Sequence, residues 1–158
     1  MTHPKTTFRF LAEPTDVNFG GNVHGGIVMK WIDQAAYACA AQWSKCYCVT
    51  VSANGIRFIK PIKVGQLVEI NACLVHTGAS SMHIYVVVKA GDATDDNMSV
   101  SNRCFITFMA VDKDGTPKNV PSYVPEDEIH MQLELVAMHA KDFAKELDND
   151  FTNNIGVH

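Results

Sequence analysis

From Gly25 to about Ser44 the chain reads GGIVMKWIDQAAYACAAQWS, a proline-free stretch dominated by Ala, Ile, Val, Met and Trp. Apolar side chains fall on nearly every side of the helix this predicts, the pattern of a helix buried inside a domain. Against that background Lys30, Asp33 and Tyr37 stand out, three and four apart on one stripe. Four runs rich in β-branched and aromatic residues follow: YCVTVSANGIRFIKP, QLVEINACLVHT, SMHIYVVVKA and SVSNRCFITFMAVD. Gly65, the TGASS turn and the GDATDDN turn separate them, predicting a meander of antiparallel strands. Phe8 to Ala12 predicts a first short strand, and EPTDVNFGGNVHGG, broken by Pro14 and its glycines, predicts a loop. One helix and a sheet of about five antiparallel strands make an α+β layer pair. A long, almost wholly apolar helix calls for a curved sheet wrapped around it.

Beyond the strands, PEDE at Pro125 to Glu128 supplies a proline and acidic residues suited to a helix start. Ile129, Leu133, Val136, Ala140, Phe143 and Leu147 then recur at steps of four and three, giving one narrow apolar stripe to pack on the domain or on a neighbouring subunit. The expected organisation is a single folded domain over 1–121, a C-terminal helical extension over 122–147 and a flexible tail over 148–158.

Composition narrows the function. With 158 residues and 47% hydrophobic content the chain can bury a sizeable core. A formal net charge of -4 gives no basic field to gather nucleic acid, so a polyanionic ligand would need a local cluster. Cys39, Cys46, Cys48, Cys73 and Cys104 form no paired zinc spacing, and reduced thiols in a cytoplasmic protein are expected. The start of the chain has no apolar signal core and no run long enough to span a bilayer, so no membrane partner is expected. His76, His83, His130 and His139 lack the spacing of a helical metal site, and no metal is expected.

Chemistry concentrates in Asn18, Asn22, His24, Gly25, Gly26 and Asp33, all in the loop or the first turns of the long helix. Gly25 and Gly26 at a helix start let a ligand approach the backbone and leave free N–H donors, aided by the positive end of the helix dipole. Such donors can hold an oxyanion, although a tight turn alone would also explain the glycines. A carboxylate amid apolar residues is costly to bury without a partner, so Asp33 is a candidate general base or is paired with Lys30. Gly26 and Asp33 lie roughly 10 Å apart along the helix, too far to serve one carbonyl. The simplest remedy is a two-fold dimer that sets the loop of one chain against Asp33 of the other.

At these residues EPTDVNFGGNVHGGIVMKWIDQAAY resembles the acyl-CoA thioesterases of the hotdog fold, the YciA-like and brain-type cytosolic acyl-CoA hydrolases. The resemblance continues through VTVSANGIRFIKPIKVGQ, VHTGASSMHI and RCFITFMAVDKDGTP, roughly residues 8 to 121, which it makes a hotdog thioesterase domain. Asn22 and His24 match the brain-type pattern NVHGG. The resemblance implies that Asp33 is the catalytic carboxylate, that Asn18 contributes from the opposite subunit, and that the chain forms dimers, frequently trimers of dimers. It further implies that Lys60, Ser80 and Ser81 meet the phosphates and pantetheine of coenzyme A, with Arg57 and Arg103 facing the same groove. The expected reaction is hydrolysis of acyl-CoA to a free acid and coenzyme A, with no cofactor beyond the coenzyme A of the substrate. Asn22, His24, Gly25 and Gly26 would hold the acyl carbonyl, while Asn18 and Asp33 carry the chemistry, Asp33 acting either as general base on the attacking water or as a nucleophile that forms an anhydride. Two alternatives remain: a hydroxyacyl-thioester dehydratase with His24 as base and Asp33 as acid, and a non-catalytic acyl-CoA-binding module.

Overall fold

The computed structural model describes residues 4–156. Five strands, β1 (Lys5–Leu11), β2 (Tyr47–Phe58), β3 (Leu67–Thr77), β4 (Ser81–Gly91) and β5 (Ser99–Val111), make one sheet in the order β1-β3-β4-β5-β2. Every neighbouring pair is antiparallel. Alternation decides which face each strand buries: Val68, Ile70, Ala72 and Leu74 of β3 point inward with Cys104, Ile106, Phe108 and Ala110 of β5. The first strand begins at Lys5 rather than Phe8, because its Lys5 pairs with Cys73 and extends the ladder toward the chain start.

The inward face carries α1 (Gly25–Ser44), which contacts all five strands, including β1 and β2 on opposite edges. A flat sheet of this width spans about 19 Å between edge strands, while a helix is only about 10–12 Å thick. One helix can touch both edges only if the sheet curls around it, which is the hotdog arrangement. Val28, Ile32, Ala35, Ala36, Cys39, Ala40 and Trp43 form the buried face of α1, small enough at its centre for the backbone to sit close to the strands. The helix is not enclosed on all sides: Ile27, Met29, Trp31 and Tyr37 are half-buried and Lys30 and Gln34 exposed. The nearly uniform apolarity read from the sequence therefore exceeds what one chain buries.

A second helix, α2 (Glu128–Asp150), lies on the outer face of the sheet, where Leu133, Ala137 and Ala140 pack on Cys73, Val75, Tyr85 and Phe105. Asp127 caps it by accepting a hydrogen bond from the His130 N–H at 2.9 Å. Helical geometry continues past Leu147 to Asp150 and through a π-type turn at Phe151–Ile155, beyond the helix end and into the segment expected as a flexible tail. Among the described residues no helix is long and apolar enough to cross a membrane.

Candidate active site

The loop before α1 is held by one side chain. Asn18 Oδ1 accepts from the backbone N–H of Gly20 at 2.9 Å and of Asn22 at 3.2 Å, while its own N–H donates to the Asn22 carbonyl at 2.6 Å. With the oxygen committed to the loop, the carboxamide NH₂ is the free end and can only donate. Asn18 lines a cavity of about 290 Å³ with Asn22, Gly25, Val28, Phe58 and Lys60. The candidates Asn18, Asn22, Gly25 and Lys60 are thus brought together.

Gly26 and His24 are not. The His24 ring caps α1, its Nδ1 accepting from the Gly26 N–H at 3.0 Å, which places the ring proton on Nε2 in the neutral imidazole. That bond occupies the Gly26 donor, so of the two glycines only Gly25 keeps an N–H with no partner among the described residues. His24 and Gly26 line a separate shallow cleft with Thr15, Asp16, Val17 and Ile27.

Asp33 makes no ion pair with Lys30 among the described residues. Its Oδ1 instead accepts from the Thr50 hydroxyl of β2 at 2.8 Å, leaving Oδ2 free. Thr50 was not singled out in the sequence, since a threonine in a β-rich run is what a strand calls for. Asp33 is only half-buried, so the desolvation inferred from its apolar neighbours is incomplete in one chain. Eight residues of helix place it roughly 12 Å along the axis from Gly25.

The residues expected to meet coenzyme A divide into three groups. Lys60, its ammonium on Ser99 Oγ at 3.1 Å, sits at the mouth of the Asn18 cavity. Arg57 stands opposite Arg103, whose neighbour in alternation, Phe105, packs beneath α2, so both arginines belong to the outer face of the sheet. Ser81 pairs with Met109 whereas Lys60 packs against Ser101. Those partners are eight residues apart on β5, about 27 Å at the strand rise, and Ser80 lies beside Ser81. Within one chain, therefore, Ser80, Ser81, Arg57 and Lys60 do not form one groove; antiparallel register, which sequence order does not reveal, separates them. Among the described residues no cluster of His, Cys, Asp or Glu could hold a metal ion. Burial pushes the Cys39 and Cys104 thiols up to about 12, far from reactive thiolates.

A wrapped central helix with an asparagine loop at its start and a carboxylate on its flank defines the hotdog thioesterases as a class. The thioesterase superfamily model matches residues 20–95. An acyl-CoA thioester hydrolase of Bacillus subtilis, uncharacterized in its own right, is 32% identical over 79% of this chain and 73% of its own. The apo form of a hexameric acyl-CoA thioesterase superposes with a TM-score of 0.87 at 30% identity, over 92% of this chain and 93% of that one. The chain belongs to the thioesterase superfamily and, within it, to the acyl-CoA thioester hydrolases. An acyl-CoA hydrolase of Staphylococcus aureus, solved with butyryl coenzyme A and coenzyme A, superposes at 0.88 with 27% identity over 97% of this chain and 93% of that one. Alanine variants of that enzyme at an asparagine, an aspartate and a threonine have also been solved, and the spacing of those positions equals that of Asn18, Asp33 and Thr50.

Proposed function

We propose that two copies of this chain pair along β2 and hydrolyse acyl-CoA thioesters at sites shared between them. The observation that carries the reading is the free geometry of the polar groups: a donor NH₂ on Asn18 beside the open Gly25 N–H, and a Thr50-held carboxylate on Asp33 with one oxygen free. Two donors suit the carbonyl oxygen of a thioester as it becomes an oxyanion. A held carboxylate suits a water that must lose a proton as it attacks the carbonyl carbon. The C–S bond then breaks, the sulfur leaves as the coenzyme A thiol carrying a proton, and the acyl group leaves as the free acid. Lys60 is the cation that draws the phosphates of coenzyme A to the cavity mouth.

Donors and carboxylate lie too far apart in one chain to act on one carbonyl, and β2 supplies the remedy. It is an edge strand with Tyr47, Val51 and Phe58, and Ile59 just past its end, all more than half exposed. A bare apolar edge is a template for a second strand. A two-fold axis near Ala53 and Asn54 sets Thr50 and Asp33 of one subunit against the Phe58 end of the other, where Asn18 and Gly25 sit. Closure of two such strands also covers the half-buried side of α1. Assembly of these dimers into hexamers, as in the hexameric relative, is part of the same proposal.

The test mixes two inactive variants, Asn18→Ala and Asp33→Ala, under conditions where subunits exchange, and follows thiol release from butyryl-CoA. Half of randomly formed dimers are mixed, and each holds one intact site of two, so about a quarter of wild-type activity returns. No recovery despite demonstrated exchange would show that each chain carries its own complete site.

A further inference from the structure

Asn102 is a residue whose placement the reaction does not use and packing does not explain. It sits on β5 with no exposed surface, and neither its Oδ1 nor its Nδ2 has a hydrogen-bond partner among the described residues. A primary carboxamide offers two donors and an acceptor with two lone pairs, and burying all of them unpaired is among the most costly things a core can do. Its neighbours in alternation, Cys104, Ile106, Phe108 and Ala110, are all apolar and all face α1, and Val88 stands directly across from it on β4. A valine at 102 would fill that row at no such cost.

Location supplies the reason. Ser101, one residue back, lines the Asn18 cavity, and Phe58, directly across on β2, lines it too. Phe58 and Asn102 occupy opposed positions and so share the α1 face. The Phe58 ring also reaches Gly25, where an added Cβ would meet its Cζ at 3.5 Å. Phe58 thus borders both the Gly25 backbone and the strand position of Asn102. A displacement of that ring by an acyl chain would join the Asn102 amide to the cavity that begins beside Asn18 and Gly25.

Building on the thioesterase reading, we propose that Asn102 is a specificity-determining residue that binds an oxygen substituent on the acyl chain a few bonds from the thioester, so that the preferred substrates are short hydroxyacyl- or oxoacyl-CoAs. The unpaired amide is completed by the substituent, which donates to Oδ1 or accepts from Nδ2. An unsubstituted chain leaves the amide unpaired and is selected against, since sites built to bond a substrate hydroxyl discriminate far more strongly than apolar pockets do.

The experiment compares kcat/KM for 3-hydroxybutyryl-CoA and butyryl-CoA in the wild type and in Asn102→Val and Asn102→Thr. The wild type is expected to favour the hydroxylated substrate by roughly tenfold or more, Asn102→Val to reverse the order, and Asn102→Thr, keeping one hydroxyl, to fall between. A wild-type preference for butyryl-CoA overturns the proposal, and so does a ratio that the variants leave unchanged, which would make the amide the seat of a structural water. Should the variants fail to fold, the wild-type ratio alone decides. Thermal stabilisation of the wild type by each ligand is read in parallel. Loss of the thioesterase reading would show as no thiol release from any acyl-CoA, while a larger thermal shift with 3-hydroxybutyryl-CoA would still uphold the Asn102 assignment and an equal shift would overturn it.

Discussion

Replacing Asn18 in two ways separates its work in the loop from its work on the substrate. Alanine removes both ends of the carboxamide. Two backbone donors, Gly20 and Asn22, lose the oxygen that accepts from them at 2.9 and 3.2 Å. At about 0.5–1.5 kcal/mol for each such bond in a partly solvated loop, Asn18→Ala should cost about 1–3 kcal/mol of stability. In a domain of this size that lowers Tm by about 2–12 °C. Loss of the NH₂ that points into the cavity should cost a further factor of about 10² to 10³ in kcat, the usual effect of deleting one oxyanion donor.

Aspartate at the same position keeps the loop and spoils the donor. Asn18→Asp retains an oxygen for Gly20 and Asn22 but turns a second oxygen, with its negative charge, toward the developing oxyanion. Tm should stay within about 2 °C of wild type while kcat falls about 10³-fold or more. Thermal melts and thiol release at saturating butyryl-CoA read the two effects separately. Survival of more than about a tenth of wild-type kcat in Asn18→Asp would refute the orientation argued for this amide. A rise in KM with kcat intact would refute it equally, by making Asn18 a group that binds ground state and transition state alike.

Two other perturbations bear on the same structure. Thr50→Val removes the hydroxyl that fixes Asp33 and should lower kcat about tenfold with little change in KM, measured by thiol release; unchanged kcat would show that Asp33 is oriented by other means. Burial and the facing His76 and Lys141 hold the His83 imidazole down to about 4 from an ordinary 6.5, so the unfolded chain takes up its proton first as pH falls. Stability from this group is whole above pH 6.5 and is lost progressively toward pH 4, by on the order of 3 kcal/mol. Melts from pH 7.5 to 4.5 should fall less steeply for His83→Gln than for wild type, and parallel curves would contradict the assignment.

The helix, the strand sequence and the Asn18 loop could be read from the chain because each is written locally, in periodicity and in turn residues. Asp33 could be read because a carboxylate breaks an apolar pattern. What escaped depended on register or on a neighbour from elsewhere. Thr50 faces Asp33 only because β2 returns beneath α1. Arg57 and the two serines were joined to Lys60 through the family resemblance, and within one chain the antiparallel ladder places them on another face and at another end. Gly26 was credited with a free N–H that the His24 ring takes up, a local contact that the preference for Ser, Thr, Asp and Asn at helix starts does not suggest. Asn102, by contrast, was within reach: in NRCFITFMA every second residue from 102 onward is inward and apolar except the first, and strict counting by twos exposes it.

The same comparison shows why one chain looks both over-apolar and under-equipped. Phe58 and Ile59 are more than half exposed and Tyr37 is half-buried, so apolar surface is left uncovered on the side of α1 that carries Asp33. The carboxylate there has one hydrogen bond and partial access to water, which is a poor setting for a base meant to act in a dry site. In the proposed dimer a second β2 laid on the first would correct both defects together, since the contact that covers the apolar side chains would also withdraw Asp33 from water and bring it to the donors of the other subunit. Folding, assembly and catalysis then draw on one surface, and a charge introduced at Val51 to keep the edges apart should remove activity without unfolding the chain.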